Sequence, residues 1–286
     1  MRPILTLAIA WSTVLCACAA HAPAANPESA DLGAARRVVT LVPSFADDVY
    51  AIGAGSQLVG VSAFTDAPPA KELRRVADAS SVDAEAILAL RPSLVIGIPA
   101  QARLTEPLRR ARVRVVLLPD DSYVSIFEDL SAIGALTGRV SQAKATIARL
   151  RHETAQLHAR TKAYARRPSV FVVLGNGPIW TAGSDSYITT LIELAGGTNA
   201  ASDLRAAYGQ YSAEALVRRQ PDLLVTDAAV HLDAAFDREP WRSLRAVRLH
   251  RVYSVNPDLI ERPGPSYNDG LRWLVDRVTP LAIASP

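Results

Sequence analysis

Two hydrophobic signatures alternate along the chain. Short unbroken aliphatic and β-branched runs, RVVTLVP, QLVGVS, SLVIGI and RVVLLP, stand between stretches with helical spacing, DDVYAIGA, AEAILAL and LTEPLRRA. A run with no polar face is buried on both sides, as in a parallel sheet covered by helices. Runs of this kind separated by helices are the pattern of βα units. They predict a first α/β lobe over residues 36–121.

The pattern changes over residues 122–166, where no strand-like run occurs. Ile147, Leu150, Thr154, Leu157, Thr161 and Tyr164 recur at intervals of three and four, the spacing of one helix face. This predicts a long connecting helix, entered after Gly138 and finished before Pro168. The stripe is short and includes two threonines, which argues against a free coiled coil. Beyond Pro168 the alternation restarts with SVFVVLG, SYITTLIELAG, AEALVRRQ, DLLVTD and RVYSVN, predicting a second lobe over residues 167–286. Within it, PSYNDGLRWLVDRV carries Leu271, Leu274, Val275 and Val278 on one face and predicts a closing helix. The expected fold class is α/β: two α/β lobes with mainly parallel sheets, joined by one long rigid α-helix.

One phrase occurs twice, as AEAILALRPSLVIG at 84–97 and as AEALVRRQPDLLVT at 213–226. In each copy Asp83 or Ser212 stands at the N-cap, Ala and Glu fill the first turn, and Pro92 or Pro221 ends the helix before the next strand. A carboxylate at Glu85 or Glu214 complements the helix dipole, an effect of about 0.3–1 kcal/mol. That accounts for either glutamate alone. A matched pair, one on each lobe, asks for a second reason.

Composition narrows the class. With 286 residues, 49% hydrophobic and 21% charged, the chain can build an ordinary packed core and is not disordered over most of its length. The net charge of +3 comes from scattered arginine pairs with acidic residues between them, a solvated surface and not a nucleic-acid footprint. The first segment, MRPILTLAIAWSTVLCACAA, has one basic residue followed by an apolar run from Ile4 to Leu15. That is the length of a signal-peptide core and too short to span a membrane. Leu15-Cys16-Ala17-Cys18 resembles the lipobox of bacterial lipoproteins, which implies a signal at 1–18 and lipidation of Cys18; ordinary cleavage after Ala20 is the alternative. Residues 19–35, rich in Ala and Pro, read as a flexible tether. Both cysteines lie in the leader, so the mature domain has no internal disulfide and no thiolate metal site.

Catalytic signatures are missing. The sequence has no G-x-S-x-G elbow and no H-E-x-x-H, and of its five histidines His152 and His158 are six apart and do not share a helix face. No catalytic residue, metal ligand or cofactor is expected, and the chain does not read as an enzyme. Gly175-Asn176-Gly177 after VFVVL resembles the start of a dinucleotide fingerprint, but the third glycine is absent and Pro178 and Trp180 follow at once. The segment reads instead as a ligand-facing loop at a strand's carboxyl end, with Trp180 as an apolar wall. Other strand-end loops supply Ser44, Phe64, Asp66, Pro99 and Gln101 from the first lobe, and Tyr208, Tyr211 and Asp258 from the second. A cleft lined this way suits a bulky, partly apolar ligand with polar edges. The alternative is that each aromatic fills the core beneath its own loop.

The series RVVTLVPS, AIGAGSQLVGVS, AFTDAPP, AEAILALRPSLVIG, the long helix, WTAGSDSYITTLIELAGGTNAA, AEALVRRQPDLLVT and RVYSVNPDLIERPGP resembles the helical-backbone (class III) solute-binding proteins of ABC importers. These capture cobalamin, haem or iron chelates, and the likeness runs over about residues 36–280. GVSAFTDAPP is most similar to the cobalamin-binding branch. The resemblance implies a periplasmic receptor that performs no chemistry and is held to the membrane by an N-terminal lipid. It implies an inter-lobe cleft for cobalamin, another corrinoid or a metal chelate. The implied protein partners are an ABC permease and its ATPase, with Glu85 and Glu214 docking onto arginines of the two permease subunits. A siderophore or haem receptor of the same fold, and an exported enzyme using the same cleft, are the alternatives.

Overall fold

In the first lobe β1 (Val38–Thr40), α1 (Pro43–Ala51), β2 (Leu58–Ser62), β3 (Arg74–Ala77), α2 (Ala84–Ala89), β4 (Leu94–Gly97), α3 (Glu106–Arg110) and β5 (Val115–Leu117) follow one another. The structure is a computed structural model that describes residues 34–283 apart from Ala79 and His231. Cys18 and most of the expected tether lie outside the described residues. The five strands form one parallel sheet in the order β3-β2-β1-β4-β5. Every residue of β1 and β4 is buried, as their unbroken apolar runs require of strands covered on both faces.

Two helices connect the lobes, α4 (Ser125–Thr137) and α5 (Val140–Thr161). Gly138 separates them in the left-handed conformation, φ +71°, where a side chain would be strained. α4 buries Ile126, Phe127, Leu130 and Ile133 in the main core. The buried stripe of α5 includes Thr146, Leu150, Thr154, Leu157 and Thr161. Its threonines have a use, because each hydroxyl joins the helix to another element. Thr146 donates to the Ala51 carbonyl at the end of α1 (3.2 Å), Thr154 donates to Asn268 Oδ1 (2.9 Å), and Thr161 donates to the Leu194 carbonyl (2.7 Å). The N-terminal half of α5 is thus bonded to the first lobe and its C-terminal half to the second.

The second lobe comprises β6 (Ser169–Val173), β7 (Gly175–Asn176), β8 (Ile179–Ala182), α6 (Tyr187–Leu194), β9 (Thr198–Asn199), β10 (Tyr208–Gln210), α7 (Ala213–Arg219), β11 (Leu223–Asp227), α8 (Arg245–Arg248), β12 (Val252–Val255), α9 (Pro257–Ile260) and α10 (Tyr267–Ile283). Its main sheet is parallel, in the order β12-β11-β6-β9. A small antiparallel sheet, β10-β8-β7, lies beside it. α10 buries Leu271, Leu274, Val275 and Val278, and its Asn268 amide donates to the Leu150 carbonyl of α5 (2.9 Å). The fold is therefore α/β, with two lobes built mainly on parallel sheets.

The repeated phrase builds the same corner twice. Asp83 Oδ1 accepts from the Ala86 amide (2.8 Å) at the start of α2, and Ser212 Oγ accepts from the Ala215 amide (3.3 Å) at the start of α7. Arg91 and Gln220, at matching positions, both leave the helix with positive φ (47° and 45°), ahead of Pro92 and Pro221. The following residue then ties the corner to the first strand of its lobe. Ser93 Oγ accepts from the Arg37 amide (3.2 Å), and Asp222 Oδ2 accepts from the Ser169 amide (2.9 Å). In the second copy Asp222 also pairs with Arg166 (2.8 Å) and Arg245 (2.6 Å). Among the described residues no helix is long and apolar enough to cross a membrane.

Candidate ligand-binding site

A cavity of about 490 Å³ is lined by Asp120, Asp121, Leu174, Trp180, Tyr208, Glu261 and Pro263. Asp120 and Asp121 lie between β5 and α4, and Leu174 directly follows β6. Trp180 and Tyr208 belong to the small antiparallel sheet, while Glu261 and Pro263 follow α9. The cavity thus draws on both lobes and on the carboxyl ends of their parallel strands, where open α/β sheets hold ligands. Segment 175–180, read from sequence as a loop, is a β-hairpin, and Tyr208 lies on a strand paired with it. Those strands are too short to show a period of two in the sequence. The pairing holds Trp180 and Tyr208 with 41% and 37% of their surfaces exposed, so neither ring is used up in packing the core.

The remaining residues singled out from sequence fall into two groups. Ser44, at the start of α1, donates to Asp120 Oδ2 (2.7 Å) and so touches a lining residue from behind. Phe64 is 60% exposed, and its carbonyl accepts from Arg262 Nη2 (3.3 Å). Asp258 pairs with the same guanidinium (2.6 Å), and Asp66 is exposed. Ser44, Phe64 and Asp258 thus touch Asp120 or Arg262 without lining the cavity, and Asp66 is not among the lining residues. Pro99, Gln101 and Tyr211 are not among the lining residues either. Gln101 is buried, accepts from the Ile98 amide (3.1 Å) and donates to the Leu41 carbonyl (3.2 Å), so both ends of its amide serve the backbone. A Cβ at Gly97 would come within 2.7 Å of Gln101 Oε1, so a side chain there would push the amide away. Tyr211 donates to Asp203 (2.8 Å) and packs its ring against Phe171.

Sequence reasoning missed five of the lining residues, Asp120, Asp121, Leu174, Glu261 and Pro263, three of them acids. LLPDD places two carboxylates shortly after a strand and Glu261 follows α9, positions at which charged residues usually face solvent. Burial pushes the Asp120 carboxyl up to about 7, reinforced by Asp129 and Asp121 and opposed by the Ser44 hydroxyl and by Arg262. Glu261 is likewise raised to about 7, first by burial and then by Asp227 and Asp258. Behind them Asp129 sits at about 6 and the wholly buried Asp48 is raised well above the ordinary range, in both cases chiefly by burial. Arg262, whose charge acts on Asp120, is already paired with Asp47 (3.3 Å) and Asp258 (2.6 Å). Burial also raises the Tyr208 phenol. Among the described residues no group of three His, Cys, Asp or Glu side chains is placed to hold a metal ion.

Glu85 and Glu214 are both exposed, each in the first turn of its helix. The Ser212 hydroxyl donates to Glu214 and lowers its carboxyl below the usual range. Neither glutamate lines the cavity.

Two lobes, a helical backbone and an inter-lobe cavity at strand ends define a solute-binding protein. The periplasmic binding protein family matches residues 38–259, and the chain belongs to that family. It is 29% identical over 254 residues to the uncharacterized ABC transporter substrate-binding lipoprotein YvrC of Bacillus subtilis, covering 86% of this chain and 80% of the relative. The periplasmic vitamin B12-binding protein BtuF of Vibrio cholerae superposes with a TM-score of 0.75 at 26% identity, over 87% of this chain and 99% of that one. A periplasmic haem-binding protein from Pseudomonas aeruginosa superposes with a TM-score of 0.77 at 28% identity, over 88% and 95%. Members of this family are substrate-binding proteins of ABC transporters, extracytoplasmic and not enzymes.

Proposed function

We propose that this chain captures cobalamin or another corrinoid in the inter-lobe cavity and delivers it to the permease of an ABC importer. The observation that carries the reading is the pair of half-exposed aromatic rings, Trp180 and Tyr208, held on one wall of the cavity. Flat apolar faces with polar groups around them suit a macrocycle whose body is apolar and whose edge carries hydrogen-bonding groups. The similarity to vitamin B12-binding relatives supports the same choice. Ser44, Phe64, Asp66, Pro99 and Asp258 remain the proposed surroundings of that ligand, with Ser44 and Asp258 acting through Asp120 and Arg262, whereas Gln101 and Tyr211 brace the loops behind it.

Docking and anchoring complete the proposal. Glu85 and Glu214 meet arginines on the two permease subunits, supported by their exposure and by their equivalent positions on matching corners. Cys18 carries the lipid that holds the protein at the membrane, with the residues after it as a tether.

A haem receptor is the second reading, favoured by a phenol in the cavity, since Tyr is an established axial ligand of haem iron. It ranks below the first because the curated relatives of this chain include several vitamin B12-binding proteins. Native mass spectrometry of the mature protein with equimolar cobalamin, haem and a ferric siderophore decides between them. The corrinoid complex is expected to dominate. A haem complex with none for cobalamin would move the assignment to the second reading, and turnover of any compound would make the protein an exported enzyme.

A further inference from the structure

Among the described residues the cavity presents three carboxylates and no cation. Asp120, Asp121 and Glu261 are all among its lining residues, while the lining includes no Lys, Arg or His. Arg262, adjacent in sequence to Glu261, is 16% exposed and occupied by Asp47, Asp258 and the Phe64 carbonyl. The side chain of Asp258 and that of Asp227 add further negative charge next to Glu261, and Asp129 does the same for Asp120. One oxygen of Glu261, Oε1, is shielded from solvent and has no hydrogen-bond partner in the protein. An ionised carboxylate only accepts hydrogen bonds. Above about pH 7, where Asp120 and Glu261 are ionised, the lining therefore offers acceptors to a ligand and, among the described residues, no charged donor.

Resting on the corrinoid reading, we infer that Asp120, Asp121 and Glu261 set ligand specificity by charge: they accept hydrogen bonds from peripheral carboxamides and exclude macrocycles whose peripheral arms end in free carboxylates. A carboxamide N–H donates to a carboxylate without bringing a like charge. A carboxylate arm in the same place meets like charge in a partly dry cavity, and juxtaposed like charges suppress wrong partners strongly. Trp180 and Tyr208 contact the macrocycle's face, which the two ligand types share, so the aromatic wall does not discriminate between them. The acids supply the difference.

The test uses two matched pairs at a pH of about 8, above the range in which Asp120 and Glu261 titrate. The first pair is a corrinoid with carboxamide side chains and its hydrolysed counterpart with carboxylate side chains. The second is an iron porphyrin with free propionates and the same porphyrin as its diamide. Calorimetry of the wild-type mature protein should show the amide corrinoid binding at least about tenfold more tightly than the acid form. In the Asp121→Asn, Glu261→Gln double variant the ratio should shrink toward one while the amide form still binds, with a thermal melt confirming the fold. Asp121 is exposed and both changes preserve shape, so folding is not expected to suffer.

Equal affinity for the two corrinoids, or a ratio untouched by the double variant, would overturn the charge filter and leave the corrinoid reading standing. Preference for the propionate porphyrin over its diamide, with no corrinoid bound, would overturn both. Binding of no member of either pair would do the same.

Discussion

Arg262 of the second lobe reaches across to Asp47 of α1, with Nη1 3.3 Å from Oδ2, and its other amino group sits 2.6 Å from Asp258. The two ends of this contact are 215 residues apart in sequence, and both are mostly buried. Burial raises the Asp47 carboxyl in spite of the guanidinium beside it, so the pair is partly desolvated. Breaking one side strands the other charge. Arg262→Ala and Asp47→Asn should each destabilise the fold, and their double-mutant cycle should give a coupling of roughly 1–3 kcal/mol from urea midpoints. Additive effects would mean that the lobes do not hold each other through this pair.

Stability should depend on pH through the carboxyls beside the cavity. Asp120, Asp129 and Glu261 hold their protons to about 7, 6 and 7 in the folded protein, against ordinary values of 3.8, 3.8 and 4.5. Between these limits the folded state binds more protons than the unfolded chain, so stability falls as pH rises. The contribution of these groups is full below about pH 4 and is lost as pH passes through about 6–7. The mature protein without ligand should therefore melt several degrees higher near pH 5.5 than near pH 8, with the slope reduced in Asp120→Asn. A melting temperature that rises across this interval would contradict the assignment.

Much of this architecture is legible in sequence because buried parallel strands write unbroken apolar runs, as in VVT of β1 and LVIG of β4. β3 was not readable, since this edge strand opens with the exposed Arg74 and Arg75. The two-residue strands β7 and β9 are too short to carry a period. At the site, Trp180 and Tyr208 could be picked out as large aromatics in loop-like surroundings. Gln101 and Tyr211 look the same in sequence, but their polar ends are satisfied within the protein by the Leu41 carbonyl and by Asp203. Only the fold separates the two kinds. The acids Asp120 and Glu261 were hidden for a related reason, because charged residues after strands and short helices usually face solvent.

Reversing both Glu85 and Glu214 to Lys should abolish uptake through the cognate importer while leaving ligand affinity of the isolated protein nearly unchanged. Both residues are exposed and neither lines the cavity. Rim charges act mainly on association and register, so each single reversal should be milder and the residual activity less dependent on salt. Normal uptake by the double reversal would reduce the pair to helix-start electrostatics.

Anchoring rests on one side chain. Cys18→Ser should remove fatty-acid labelling and release the protein from membranes, because the acylated N-terminus is the proposed hydrophobic attachment. A wild-type protein recovered in the soluble fraction with a free N-terminus at Ala19 or later would rule the anchor out.

Whether the aromatic wall of the inter-lobe cavity takes a corrinoid is answered by calorimetric titration of cobalamin into the mature protein and into Trp180→Ala. The wild type should bind at a single saturable site. Removing the half-exposed ring should weaken binding by about 1–3 kcal/mol without lowering the melting temperature appreciably, since Trp180 is outside the core. No binding by the wild type, or equal binding by the variant, would show that the aromatic wall does not hold a corrinoid.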